Sequence, residues 1–160
     1  MAIINGVDMP NFTKKEIPEF AAGLISKQML ENIQKYRTII RNPFNISLAY
    51  GALFRFDGRK SSEHYVIVDP TTDRLIKPST AIDGFPVCDI FKAWSMALSS
   101  GLFNGIGVYF DTNNNHGHPQ PMLHLDLRVS PLIWYRDKGE YFYPHKDKDF
   151  FLNLKILLNS

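Results

Sequence analysis

The five histidines, His64, His116, His118, His124 and His145, are the side chains in this chain best suited to proton or metal chemistry near neutral pH. Cys88 is the sole cysteine, which excludes an internal disulfide and a thiolate metal cluster. A metal site must therefore be assembled from histidine and carboxylate. The sharpest local pattern is Met122-Leu123-His124-Leu125-Asp126-Leu127-Arg128. Strand periodicity sends His124, Asp126 and Arg128 to one face and the three leucines to the other. The leucine face belongs to a core, so the polar face lines either open solvent or a cleft. Ser61-Ser62-Glu63-His64-Tyr65 offers a second histidine, and Ala81-Ile82-Asp83 a carboxylate entering an apolar stretch. Each has a plainer reading: an edge strand with a wet face, a surface histidine in a serine-rich turn, and a turn or N-cap aspartate.

Several elements must position these groups. Apolar residues Met29, Leu30, Ile33, Tyr36, Ile39 and Ile40 recur at spacings of three and four, which predicts an amphipathic helix over 26–40, started by Ser26 and closed by Asn42-Pro43. Thr13 and Glu16 stand at capping-box spacing in an exposed lead-in. A strand is expected within 44–56, then a loop rich in Arg, Gly and Ser, a short apolar run at 65–68, and a polar surface excursion over 69–80. A second helix is expected over 89–98, with Ile90, Phe91, Trp94 and Leu98 on one face and a stop at Ser99-Ser100-Gly101. Strands follow at 105–110 and 122–129, separated by the loop 111–121 that carries His116 and His118. A hairpin around Asp137-Lys138-Gly139 and a terminal helix over 150–158 complete the chain. The order predicts an α+β class with a mainly antiparallel sheet and helices packed on one side.

At 160 residues the chain suits one domain, residues 1–160, with a full core. Hydrophobic residues at 44% exclude a disordered composition. A net charge of +2 falls short of a nucleic-acid footprint. The aromatics Trp134, Tyr135, Tyr141, Phe142 and Tyr143 alternate with Arg136 and Lys138 but have no basic stripe beside them, so no nucleic-acid partner is expected. Residues 1–20 contain no apolar stretch of signal-peptide length, and no segment reaches the roughly 20 apolar residues of a membrane span. A soluble chain made in the cytoplasm is expected, with no membrane partner. Any action outside would need release by something other than such a signal.

Taken in order, these motifs resemble the zinc D-Ala-D-Ala carboxypeptidases and L-Ala-D-Glu endopeptidases of the hedgehog/DD-peptidase superfamily. The correspondence runs from Phe12-Thr13-Lys14-Lys15-Glu16 through Leu30 to Arg37, then Asn45-Ile46-Ser47 with Arg55 and Gly58. It continues with Ser62-Glu63-His64, Ala81-Ile82-Asp83, Gly105-Ile106-Gly107-Val108-Tyr109, and Leu123-His124-Leu125-Asp126-Leu127-Arg128. The stretch covers residues 11–135. The resemblance implies a zinc site of His64, Asp83 and His124 with a fourth position for water, as an open catalytic site requires. It also implies that Arg55 pairs with a substrate carboxylate or carbonyl. The expected activity is hydrolysis of peptidoglycan stem-peptide bonds, as a carboxypeptidase or endopeptidase of phage or prophage type. Peptidoglycan or a peptide would be the partner.

The chain departs from that pattern twice. Asp83 lies 19 residues after His64, so residues 66–80 read as an insertion, and Asp69 is the alternative ligand. The acid that many members carry just before the last histidine is missing from Pro119-Gln120-Pro121-Met122-Leu123. His116, His118 and Asp126 are the substitutes for the base, with Asp126 also placed to orient His124. The alternative function is an inactive homologue serving as a wall-binding or virion-associated structural module.

Overall fold

The computed structural model describes residues 2–160. Two short strands, β1 (Ile3–Ile4) and β2 (Val7–Asp8), pair with each other and lead to a one-turn helix, α1 (Glu19–Ala22). The Thr13/Glu16 box forms, with Thr13 N–H donating to Glu16 Oε2 at 2.8 Å and Glu16 N–H to Thr13 Oγ1 at 3.2 Å. It staples a turn rather than starting a long helix. Helix α2 (Lys27–Ile40) begins where the pattern placed it, with Ser26 Oγ accepting from Met29 N–H at 3.2 Å. Its stripe of Met29, Leu30, Ile33, Tyr36 and Ile40 is fully buried.

Strand β3 (Phe44–Ile46) is shorter than the expected 44–56. Ser47 N–H still bonds Asp83 C=O, but Asp83 N–H is taken by Ala52 C=O. The chain between them therefore leaves the sheet, and Leu48 and Tyr50 stand exposed. Beyond the His64 loop, β4 (Ile67–Val68) and β5 (Leu75–Lys77) pair antiparallel, so the excursion is a small exposed hairpin. Strand β6 (Ala81–Pro86) carries Asp83 as its third residue. The expected turn or helix opening at Asp83 is thus corrected: Ala81, Ile82, Gly84 and Phe85 are all buried, the profile of an inner strand.

Helix α3 (Ile90–Ser100) is capped by Asp89, whose side chain accepts from Lys92 N–H at 3.1 Å. Strands β7 (Gly105–Tyr109), β8 (Met122–Asp126), β9 (Leu132–Asp137) and β10 (Glu140–Phe142) follow, then α4 (Phe150–Leu158). The six-stranded sheet has the order β10-β9-β7-β8-β6-β3, antiparallel throughout except for the parallel pair β7/β9. The fold is α+β with a mixed sheet.

A single apolar cluster joins Ile82, Ile106, Val108, Leu123, Leu125 and Tyr135 of the sheet to buried residues of α2, α3 and α4. The Tyr36 hydroxyl donates to Ala93 C=O at 2.6 Å and ties α2 to α3. That leaves the opposite sheet face free of helices where Asp83, His124 and Asp126 stand. No helix among the described residues is long and apolar enough to cross a membrane.

Candidate metal centre

Register aligns the site. Asp83 on β6, His124 on β8, Gly107 on β7 and Trp134 on β9 lie opposite one another in a single row across four strands. In the next row Ala81, Asp126, Gly105 and Leu132 are opposite in the same way. Two glycines make room for this polar face. A Cβ on Gly105 would strike the Asp126 carboxylate, and one on Gly107 would lie 2.5 Å from the Trp134 ring. Any larger residue there would expel the groups that surround His124.

His64 reaches this row from the loop. Arg55 N–H donates to His64 C=O and Val66 N–H to Arg55 C=O, both at 2.8 Å, while Thr80 N–H donates to Glu63 C=O at 2.8 Å. These bonds stitch the histidine between the arginine loop and the start of β6. Its Nε2 lies 3.1 Å from Asp83 Oδ1 and 3.2 Å from His124 Nδ1, and Asp83 Oδ1 lies 2.9 Å from His124 Nδ1. His64, Asp83 and His124 can together hold a metal ion. Asp69 is elsewhere: its Oδ1 accepts from Thr71 N–H at 2.8 Å, within its own turn.

The donor atoms have the spacing of a cation site. His124 Nε2 faces Asp126 Oδ2 at 2.7 Å, so a neutral ring keeps its proton there and presents a lone pair at Nδ1. That lone pair, the Asp83 oxygen and His64 Nε2 converge at separations close to the roughly 3.3 Å edge of a tetrahedron with ligands at about 2.0–2.1 Å. One hydrogen from His64 cannot satisfy both neighbours. Burial pushes His124 down, but hydrogen bonds to Asp126 and Asp83 outweigh it and raise the ring from 6.5 to about 9. Burial pushes Asp83 up, yet the two histidines hold it well below the usual carboxylate range.

Asp126 is fully buried and saturated. It accepts from Arg128 Nε at 3.0 Å, Arg128 Nη2 at 2.6 Å and the Arg128 backbone N–H at 3.0 Å, besides its contact with His124. It therefore fixes the orientation of His124 and does not face the cavity, which corrects its assignment as a base at the metal. Above the cluster opens a cavity of about 490 Å³ lined by Arg55, Glu63, Tyr109, Arg128, Trp134 and Arg136 among others. The Arg55 Nε lies 3.4 Å from Asp57 and its guanidinium 5.6 Å from the Tyr50 ring centre.

His116 and His118 are not brought to the cluster. Both are exposed, and His116 lines a different cavity with Asn45, Leu48 and Phe85. Their loop is pinned to the open edge of β3, where Leu48 N–H donates to Asn115 Oδ1 at 2.9 Å and Asn115 Nδ2 donates to Ile46 C=O at 3.0 Å. The group sequence reasoning passed over is Glu63, a carboxylate in the metal cavity whose Oε2 accepts from the Thr80 hydroxyl at 2.7 Å. Its position beside His64 was the available signal. Compared with protein-family models, curated proteins and solved structures, the chain matches none.

Proposed function

We propose that the protein is a zinc-dependent peptidase that hydrolyses stem-peptide bonds of peptidoglycan, with a hedgehog/DD-peptidase-like fold. The observation that carries this reading is the convergence of His64 Nε2, Asp83 Oδ1 and His124 Nδ1 at the floor of an open cavity. Two histidines and one carboxylate suit zinc and leave a position for substrate or water. Bound there, zinc would polarise a scissile carbonyl and lower the pKa of water. The chain's own residues do the rest. Asp126 holds the His124 ring in one tautomer, Arg128 holds Asp126, and Trp134 packs against the His124 ring at 5.1 Å between centroids. Glu63, with one oxygen bound by Thr80, keeps the other to accept a proton inside the cavity.

A non-catalytic wall-binding module is the second reading. It is favoured by the absence of His116, His118 and Asp126 from the cavity wall. Zinc analysis of the purified protein followed by mass spectrometry of digested peptidoglycan separates the two. Chelator-sensitive release of muropeptides supports the peptidase, whereas bound zinc with intact peptidoglycan supports the binding module. Absence of bound zinc overturns the peptidase.

A further inference from the structure

The cavity is basic before any metal enters it: Arg55, Arg59, Arg128 and Arg136 line it against the carboxylates Glu63 and Asp83. The four arginines are not equivalent. Arg136 is engaged by Asp111 at 2.9 Å, and Arg59 is exposed. The Arg55 side chain is 41% exposed, with one long contact to Asp57.

Arg128 differs from all three. Its Nε and Nη2 are spent on Asp126, its guanidinium lies 4.6 Å from the Trp134 ring centre, and its side chain is 25% exposed. Among the described residues Nη1 makes no hydrogen bond, so its two N–H groups are the ones left to the cavity that Arg128 lines. The fork is immobilised from behind by the same carboxylate that orients His124, one side chain removed from the metal cluster. A planar donor already fixed in place loses little further freedom when it binds an anion.

We propose that Arg128 is the receptor for a carboxylate of the substrate, so that the cleft selects peptides with a free carboxylate beside the group presented to the metal. The proposal rests on the zinc-centre reading above and adds the substrate feature and the residue that reads it. It divides labour between neighbours on one strand face: His124 holds the metal, Asp126 positions, Arg128 discriminates.

The test uses the full-length protein at saturating zinc and a metal-anchored probe, N-(mercaptoacetyl)alanine, with its carboxamide as the control. The thiolate binds zinc in both, so any difference reads the carboxylate alone. Titration calorimetry should show the acid bound at least about tenfold more tightly than the amide, the scale of a charge-assisted contact. Arg128→Gln and Arg128→Ala should bring that ratio close to one, while Arg59→Ala keeps it. A purely structural role for Arg128 would weaken acid and amide alike and leave the ratio standing, which overturns the proposal. Equal binding of acid and amide by the unaltered protein also overturns it, with no variant needed. A protein that takes up no zinc sinks the metal centre first, and its zinc content distinguishes that failure from failure of the receptor.

Discussion

Leu123 and Leu125 on one face of β8 alternate with His124 and Asp126 on the other, yet the two faces are held by different physics. The leucines are fully buried in the cluster shared with α2 and α3, where each is one of many interchangeable apolar contacts. His124 and Asp126 are buried to a similar degree, at 7% and 0% exposure. On their face the His124 Nε2 and the Asp126 carboxylate oxygens have named partners, and the neighbouring strand supplies glycines to admit them. The helical face thus rests on apolar packing, and the cleft face on specific polar partners. Substitutions should separate the two.

The largest effect is expected at the ligands. His64→Ala and His124→Ala should abolish zinc binding and the whole zinc-linked rise in Tm, because metal affinity acts as folding free energy. His145→Ala, at an exposed position, should keep both. Equal loss in all three, followed by metal analysis and thermal melts, would dissolve the contrast. On the other face Leu125→Ala should cost about 2–5 kcal/mol in urea unfolding through loss of packing and a residual cavity. Its zinc stoichiometry should stay unchanged. A stable Leu125→Ala protein that has lost zinc would show that the faces are not separable.

Gly107→Ala tests the crowding of the cleft side. The new methyl meets the Trp134 ring, so a loss of about 1–3 kcal/mol and an altered tryptophan fluorescence are expected. Unchanged fluorescence and stability would mean the row is looser than its register suggests. Asp126→Asn keeps shape but weakens the support of His124, and zinc affinity should fall about 10–100-fold by competition titration. Loss of turnover at full zinc occupancy would instead give Asp126 a direct part in the reaction.

The smallest effects are pH slopes of opposite sign. Without zinc, protonated His124 contributes stability in full below its ordinary 6.5 and loses it as pH rises through about 9. Asp83 and Asp126, held below their ordinary 3.8, contribute above that pH and lose their contribution as it falls. Zinc requires His124 without its second proton, so the zinc-linked rise in Tm should grow between pH 6.5 and 9 while the zinc-free Tm declines. A zinc-linked rise that stays flat across that range would remove His124 from the ligand set.

Much of this was legible along the chain. Alternation in 122–128 sorted leucines from polar groups before any fold was known, and the three-four spacing of 26–40 marked α2 with its Ser26 cap. Both signals are local, set by the period of a strand or a helix. Other features depended on partners remote in sequence. Asp83 became a strand residue because β6 is sandwiched between β3 and β8, and its flanking residues Ile82 and Gly84 are buried. Asp69, nearer to His64 in sequence, satisfied its own turn instead.

The roles of the remaining groups were decided by distance. His116 and His118 looked suited to proton transfer by type, but Asn115 anchors their loop to the edge of β3, away from the metal cavity. Glu63 gained a place in that cavity when Thr80 held its backbone and side chain. Residue types and short-range periodicity determined which groups were available and which face of β8 they occupied. Tertiary structure alone decided which of them meet, since convergence across 41 residues between Asp83 and His124 depends on sheet register and loop anchoring, which no local pattern encodes.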